Sequence, residues 1–302
     1  MYPLAFQRIS LQEIGKKNDE KNIAEGVLQG DETDGEFLEI VDSQQISSVI
    51  TNGFYKGNSL RDLMEKAAPE IMGKAKSEEE VFPISVKMLV SSEKVRSHIH
   101  LASGRTMLFI MQSNTEGIIF AGLKKGIGRE KLMFLAQKGE IEQGLQKLRV
   151  EQGDALLIPK GGLYGVGEGI KAFVFQRNYD IVYQPKILEE KALQQVDYDY
   201  VEPSLIYSMF SRNPVLSSRF LVNESEFICD EYRVKKNQRF YIRNEVPVII
   251  GMVNGELTVS GGDEELLLKE GDFCLIPSSL ERVALQSIVR STYLMCQPQA
   301  EY

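Results

Sequence analysis

The two histidines of the chain, His98 and His100, are the residues whose type and spacing point most directly to chemistry. They stand two positions apart, and in a β-strand this spacing places both imidazoles on the same face. If that strand lines a cavity, two neutral imidazoles converge there as ligands for zinc, iron or manganese. Surface or packing histidines would show the same spacing, so the pair indicates a metal site without establishing one.

An internal repeat suggests how the chain positions these histidines. The segment from Gly153 to Pro159 reads GDALLIP, and the segment from Gly271 to Pro277 reads GDFCLIP. The second copy follows the first by 118 residues. Because a solenoid would have a period of about 20–50 residues, the distance favours two similar domains. We predict an N-terminal barrel in residues 1–190, with the candidate metal site, and a C-terminal barrel in residues 191–302.

Short apolar runs surround both copies of the repeat, and turn signals such as Asn254-Gly255 separate them. Many short strands with regular turns favour barrels over a parallel α/β sheet. One helix is predicted to begin after Ser59, and Pro69 is predicted to disturb or end it. A second helical segment is predicted from Gly128 to Leu148, as two short helices. The predicted fold class is therefore mainly β, with two jelly-roll barrels and short helical insertions.

The first copy of the repeat leads into a loop that has the spacing of the second cupin motif. Gly153, Pro159, Gly161 and Tyr164 stand at the motif positions, although the motif normally ends in a histidine ligand. The glycines permit a tight turn that directs the ligand strand back into the barrel. Tyr164 is therefore a candidate metal ligand. In the second copy Arg282 stands at this position, and because its charge repels a cation we predict a metal-free C-terminal barrel.

Composition limits the class of function and the partners. The chain has 302 residues, of which 43% are hydrophobic and 26% charged, and a formal net charge of −8. An acidic surface disfavours nucleic acid as a partner. The three cysteines, all in the last third, indicate free thiols in a reducing compartment. Since we find neither a signal peptide nor an apolar run of about 18 residues, we predict a cytoplasmic location and no membrane partner.

The order and spacing of several motifs resemble those of the type I phosphomannose isomerases. This family consists of zinc-dependent proteins with two cupin barrels that interconvert mannose 6-phosphate and fructose 6-phosphate. The matching segments cover most of the chain: NGFYKG from Asn52, FPISVKML from Phe82, the stretch from Leu145 to Gly169, NYDIVY from Asn178, and the second copy of the repeat. The resemblance implies two cupin-type barrels and action on, or binding of, a phosphorylated hexose.

The resemblance also implies a ligand set for zinc or another divalent metal. His100 matches a family histidine ligand, His98 replaces a glutamine or lysine, and Tyr164 replaces a second histidine. The glutamate ligand of the family falls near Thr106. The implied metal ligands in this chain are therefore His98, His100 and Tyr164.

Isomerisation would also need a group that holds the phosphate and a group that moves a proton. The candidate substrate-binding residues are the cations Lys87, Arg105 and Arg177. The candidate catalytic residues are Asp180, Tyr183 and Gln184. At Gln184 the family has an arginine implicated in catalysis, so the positive charge is lost here.

Two functions remain open on the sequence. In the first, the chain is an isomerase with a rebuilt metal shell. In the second, it binds a sugar phosphate or a protein partner without turnover, and the replacement of the family glutamate, histidine and arginine favours this alternative. A cupin dioxygenase would need three facial ligands and fits the motifs less well. The sequence makes no prediction of the oligomeric state.

Overall fold

The computed structural model describes residues 1–11, 35–43, 45–75, 81–91, 99–114, 117–177 and 190–300. The helices are α1 (Leu60–Met72), α2 (Arg129–Gln137), α3 (Glu190–Leu193) and a 3-10 helix at Ile141–Gly144. The first ten strands are β1 (Leu4–Ala5), β2 (Ile9–Ser10), β3 (Gly35–Ile40), β4 (Ile84–Ser91), β5 (Ile99–Leu101), β6 (Thr106–Ser113), β7 (Ile118–Leu123), β8 (Leu145–Arg149), β9 (Ala155–Ile158) and β10 (Leu163–Val166). The others are β11 (Ile170–Arg177), β12 (Leu216–Asn223), β13 (Phe227–Val234), β14 (Arg239–Ile242), β15 (Val248–Asn254), β16 (Glu256–Gly261), β17 (Glu264–Lys269), β18 (Phe273–Ile276), β19 (Val283–Ser287) and β20 (Ser291–Pro298).

The chain divides into two compact units, and the ranges of each are not contiguous in sequence. One unit comprises Ser10–Leu38 and Val86–Ile206, and the other comprises Met1–Ile9, Glu39–Ser85 and Tyr207–Tyr302. The domain boundary after residue 190 stays a prediction. Among the described residues, no helix is long and apolar enough to cross a membrane.

Each barrel is built from one six-stranded sheet and one four-stranded sheet. In what we call the first barrel, the strand orders are β2-β3-β4-β11-β6-β9 and β5-β10-β7-β8. In the second barrel they are β1-β18-β15-β20-β13-β12 and β14-β19-β16-β17. The mainly β fold class predicted from the strand pattern is confirmed.

The core of the first barrel is formed by side chains from both of its sheets. Leu108 and Val174 come from the six-stranded sheet, whereas Ile119 and Val166 come from the four-stranded sheet, and all four belong to one buried cluster. Such burial of apolar side chains between two sheets is the main force that holds a barrel of this kind together. The same cluster includes Tyr164, so this core surrounds one of the predicted site residues.

The two copies of the Gly-Asp repeat adopt the same local structure. Gly153 and Gly271 have φ values of 91° and 86°, a conformation that favours glycine because a Cβ would be strained there. The carboxylates of Asp154 and Asp272 each accept a hydrogen bond of 2.8 Å from the backbone N–H three residues earlier. Each turn leads directly into a buried strand, β9 or β18. The repeat therefore marks equivalent positions in the two barrels.

The helical insertions follow local signals in part. Ser59 caps α1 as predicted, and it forms a reciprocal capping box with Asp62. The helix is distorted at Ala67, just before Pro69, as expected where proline disturbs the preceding turn. The prediction of a helix up to Leu148 was wrong, because residues from Leu145 onward form β8 and pair with β7.

Candidate functional site

Four polar side chains of the first barrel come together from both of its sheets. Tyr164 on β10 pairs in register with His100 on β5. Glu36 lies on β3 and Lys87 on β4, which are adjacent strands of the other sheet. Lys87 stands two residues before Leu89, a member of the buried core around Tyr164, and residues two apart share a strand face. We call Glu36, Lys87, His100 and Tyr164 the polar cluster.

An ion pair joins two members of the polar cluster. Lys87 Nζ lies 2.6 Å from Glu36 Oε1, and the two side chains are 5% and 20% exposed. The second carboxylate oxygen, Glu36 Oε2, lies 3.8 Å from His100 Nδ1. The ring of His100 stacks on that of Tyr164 with 5.1 Å between centroids, and Lys87 Nζ lies 6.0 Å from the Tyr164 ring centroid. The four side chains therefore form one connected group.

The environment sets the charges of the polar cluster. Burial alone would lower the pKa of the Lys87 ammonium, but the carboxylate of Glu36 outweighs that effect and the pKa of Lys87 is raised. Burial raises the pKa of the Tyr164 hydroxyl, although the charge of Lys87 acts in the opposite direction. At neutral pH the cluster therefore contains an ammonium and a neutral phenol. The phenolate that metal binding by Tyr164 would require is disfavoured in this environment.

In the first barrel, the buried polar atoms that leave hydrogen-bonding capacity unused include atoms of Tyr164 and Gln176. Neither the hydroxyl of Tyr164 nor Oε1 of Gln176 makes a hydrogen bond of good geometry. Gln176 lies on β11 opposite Thr106, and its side chain leaves the strand on the same face as Val174, which packs in the core around Tyr164. Because a buried polar atom without a partner destabilises the fold, such atoms are candidates for ligand contact.

The structure brings together only some of the site residues that were predicted from the sequence. Lys87, His100 and Tyr164 lie together. Arg105 is exposed in the segment before β6, and Arg177 is half-buried at the end of β11. Four other predicted residues lie outside the described residues: His98, Asp180, Tyr183 and Gln184.

Sequence reasoning missed Glu36 and Gln176. The contact between Glu36 and Lys87 joins residues 51 positions apart, so no local motif marks it. Gln176 could have been found from the alternation along the strand that was predicted from Ile170 to Phe175. A polar residue that continues the inward face of a strand is a signal of a site within the barrel.

The described residues do not by themselves fit the divalent metal implied by the family resemblance. Within the described ranges, no group of three or more His, Cys, Asp or Glu side chains could hold a metal ion. The charge of Glu36 is already neutralised by Lys87 at 2.6 Å, and the ammonium would repel a cation beside it. Tyr164 carries a proton in this environment. The metal ligation predicted for His98, His100 and Tyr164 therefore stays a prediction.

The second barrel has a different interior. Its core cluster consists of apolar and aromatic side chains from both sheets, such as Ile250 and Val259, together with Tyr293. Arg282 stands at the position equivalent to the ligand of the cupin motif, and it is exposed. Its guanidinium Cζ lies 3.7 Å from the ring centroid of Tyr241. The candidate site is therefore confined to the first barrel among the residues that the structure describes.

Comparison with known proteins gives a consistent picture of the relationship. No family model matches the sequence. The mannose-6-phosphate isomerase of Streptococcus mutans is 23% identical over 272 residues, which span 83% of this chain and 84% of the relative. The Bacillus subtilis mannose-6-phosphate isomerase ManA is 24% identical over 275 residues, which span 83% of this chain and 86% of the relative. The chain is a divergent relative of the mannose-6-phosphate isomerases.

Solved structures of mannose-6-phosphate isomerases have a fold similar to that of the present chain. The Bacillus subtilis enzyme aligns with a TM-score of 0.74 at 18% identity, over 98% of this chain and 99% of that chain. The apo form of the Salmonella typhimurium enzyme aligns with a TM-score of 0.65 at 13% identity, over 99% of both chains. At such identities the likeness establishes the fold, and it confirms the predicted cupin-type fold class.

Proposed function

We propose that the chain is a mannose-6-phosphate-isomerase-like protein that binds a phosphorylated hexose in the first barrel. The observation that carries this proposal is the polar cluster, which lies against the apolar core cluster of the first barrel and has an unused hydroxyl at Tyr164. The curated relatives, which span 83% of the chain, support the class of ligand.

The chemistry of the cluster suits the oxygen atoms of a sugar. Lys87 has three N–H donors, and its contact with Glu36 uses one of them. The hydroxyl of Tyr164 can both donate and accept, and the amide oxygen of Gln176 can accept. A sugar hydroxyl is likewise both donor and acceptor, so it can pair with all three groups. We expect the phosphate to be held by the predicted cations Arg105 and Arg177.

Turnover is a separate question from binding. Isomerisation of an aldose to a ketose needs a group that polarises the carbonyl oxygen and a base that moves a proton between neighbouring carbons. Lys87 and Tyr164 offer donors for the oxygen. The carboxylate of Glu36 is the base candidate within the described residues, but its ion pair with Lys87 weakens it as a base. We therefore propose binding as the primary function, and isomerisation, with the metal dependence that the family resemblance implies, as the second candidate.

Isothermal titration calorimetry of the purified full chain tests the proposal. We expect saturable binding of mannose 6-phosphate or fructose 6-phosphate, and little heat with mannose or inorganic phosphate alone. The variant Lys87→Met should bind at least about tenfold more weakly, since removing a charged hydrogen-bond donor costs roughly 1.5–3 kcal/mol. The control variant Lys74→Met, which alters a lysine whose side chain is 57% exposed in the other unit, should bind as the parent does.

A coupled assay for fructose 6-phosphate formation then distinguishes the two candidates. Binding with no turnover above the rate of the Lys87→Met variant would support the binding protein. Turnover that is lost in Lys87→Met and kept in Lys74→Met would support the isomerase. Absence of binding to both sugar phosphates would contradict the proposed function.

A further inference from the structure

Asp230, on β13, directs a carboxylate into the interior of the second barrel. It lies directly opposite Met295 on β20, and Met295 packs against the buried core of that barrel. Residues directly opposite each other on antiparallel strands share a face of the sheet. The side chain of Asp230 is therefore on the interior face, although that core consists of apolar and aromatic side chains.

The protein satisfies the carboxylate of Asp230 in part. Tyr232 donates a hydrogen bond to it, whereas Oδ1 is buried and makes no hydrogen bond. No lysine or arginine within the described ranges forms an ion pair with Asp230. Burial raises the pKa of this carboxyl group, because its negative charge is poorly solvated. A buried acceptor without a partner is unusual in a folded protein, and a cation that donates a hydrogen bond would supply one.

The rings of Tyr232, Tyr293 and Phe240 form an aromatic stack beside this carboxylate. Tyr232 stacks on Tyr293 with 5.2 Å between centroids and 6° between ring planes. Phe240, on β14 of the other sheet, stacks on Tyr293 at 6.5 Å and 14°. Tyr293 is 1% exposed, whereas Asp230, Tyr232 and Phe240 are partly exposed. Solvent therefore reaches the interior of the barrel at the carboxylate and at the adjacent ring, and so can a small molecule.

We propose that the second barrel binds a small organic cation, an amine or guanidine that carries an apolar group, at Asp230 and Tyr232. The N–H groups of the cation meet the unused carboxylate oxygen, and the face of the Tyr232 ring attracts its positive charge. The apolar group packs between Met295 and Phe220, which lie on either side of Asp230; the Phe220 side chain is 49% exposed.

The charge and the donor set of this second site exclude other classes of ligand. An anion would be repelled by the carboxylate of Asp230. A metal ion would lack ligands, because no group of three or more His, Cys, Asp or Glu side chains in the described part of the chain could hold one. All of the residues involved belong to the unit that contains the second barrel, so the inference does not rest on the sugar phosphate site proposed for the first barrel.

Nuclear magnetic resonance of the full chain, with isotope-labelled methionine methyl groups, tests the proposal. The probe is benzylammonium, and benzyl alcohol and benzoate are its neutral and anionic counterparts. We expect benzylammonium to shift the Met295 signal in a saturable manner, with no shift of Met111 in the first barrel and no saturable shift from either counterpart. Equal affinity for benzyl alcohol, a shift confined to Met111, or no saturable shift up to the solubility limit of benzylammonium would overturn the inference.

Two variants then test the proposed contacts. Asp230→Asn keeps the shape of the side chain and removes its charge, so the affinity for benzylammonium should fall at least about tenfold, corresponding to about 1.4 kcal/mol. Tyr232→Leu removes the ring and should also weaken binding. The control Asp263→Asn alters an exposed carboxylate of the same unit and should bind as the parent does.

An Asp230→Asn protein that is folded and binds benzylammonium as tightly as Asp263→Asn would overturn the inference. If circular dichroism shows that Asp230→Asn is unfolded, the comparison of benzylammonium with benzyl alcohol on the parent chain decides, because it needs no variant.

Discussion

Replacement of Lys87 by methionine should destabilise the fold through the charge that it leaves behind. Methionine keeps much of the side-chain volume, so lost packing is a minor contribution. Glu36 remains 20% exposed, and its carboxylate loses the partner that lay 2.6 Å away. Removal of one member of a buried ion pair costs roughly 3–5 kcal/mol, and the partial exposure of Glu36 places our expectation at the lower end, about 3 kcal/mol.

Urea unfolding followed by far-ultraviolet circular dichroism measures this loss as a change in the free energy of unfolding. Lys74→Met is a matched control, because Lys74 Nζ contacts Glu245 at 2.9 Å while both side chains are more than half exposed. That exposed pair should contribute less than about 1 kcal/mol. The double variant Lys87→Met/Glu36→Gln should recover part of the loss. If Lys87→Met costs no more than Lys74→Met, the buried ion pair does not exist as described.

Other predictions concern the stability of the unit that contains α1 and the second barrel. Ser59→Ala removes the cap of α1 and should lower the free energy of unfolding by about 1 kcal/mol in urea. Hydrogen bonds from Ser59 lower the pKa of Asp62 below its ordinary 3.8. The Asp62 carboxylate therefore contributes to stability above pH 3.8, and this contribution is lost as the pH falls further. In thermal melts, Asp62→Asn should reduce this acid sensitivity. Gly73→Ala should cost roughly 1–3 kcal/mol in urea, because φ is 55° and the new Cβ would clash with the carbonyl of Glu245. Ile250→Ala, at a fully buried position in the second barrel, should cost roughly 2–5 kcal/mol by the same assay.

The features that sequence reasoning predicted correctly are those that depend on local chemistry. The Gly-Asp turns require a positive φ at Gly153 and Gly271, and only a few residue types allow it, so the repeat is visible in the sequence. The cap at Ser59 is equally local. His100 and Tyr164 were predicted as ligands of one metal site; the pairing of β5 with β10 places them side by side, and the ligation itself stays a prediction.

The features that sequence reasoning missed depend on contacts between distant segments. Nothing near Glu36 in sequence indicates that β3 lies beside β4 and brings its carboxylate to Lys87. The segment from Leu145 was predicted as helix because its apolar spacing also fits a helical period, and its pairing with β7 decides the outcome. The burial of Lys87, and with it the charge of the site, is likewise a property of the folded barrel.

A crystal structure of the full chain grown with mannose 6-phosphate and zinc chloride tests the central claim most directly. The account predicts the sugar in the first barrel, with its oxygen atoms within hydrogen-bond distance of the Lys87 ammonium and the Tyr164 hydroxyl. A sugar phosphate bound away from the polar cluster would contradict it.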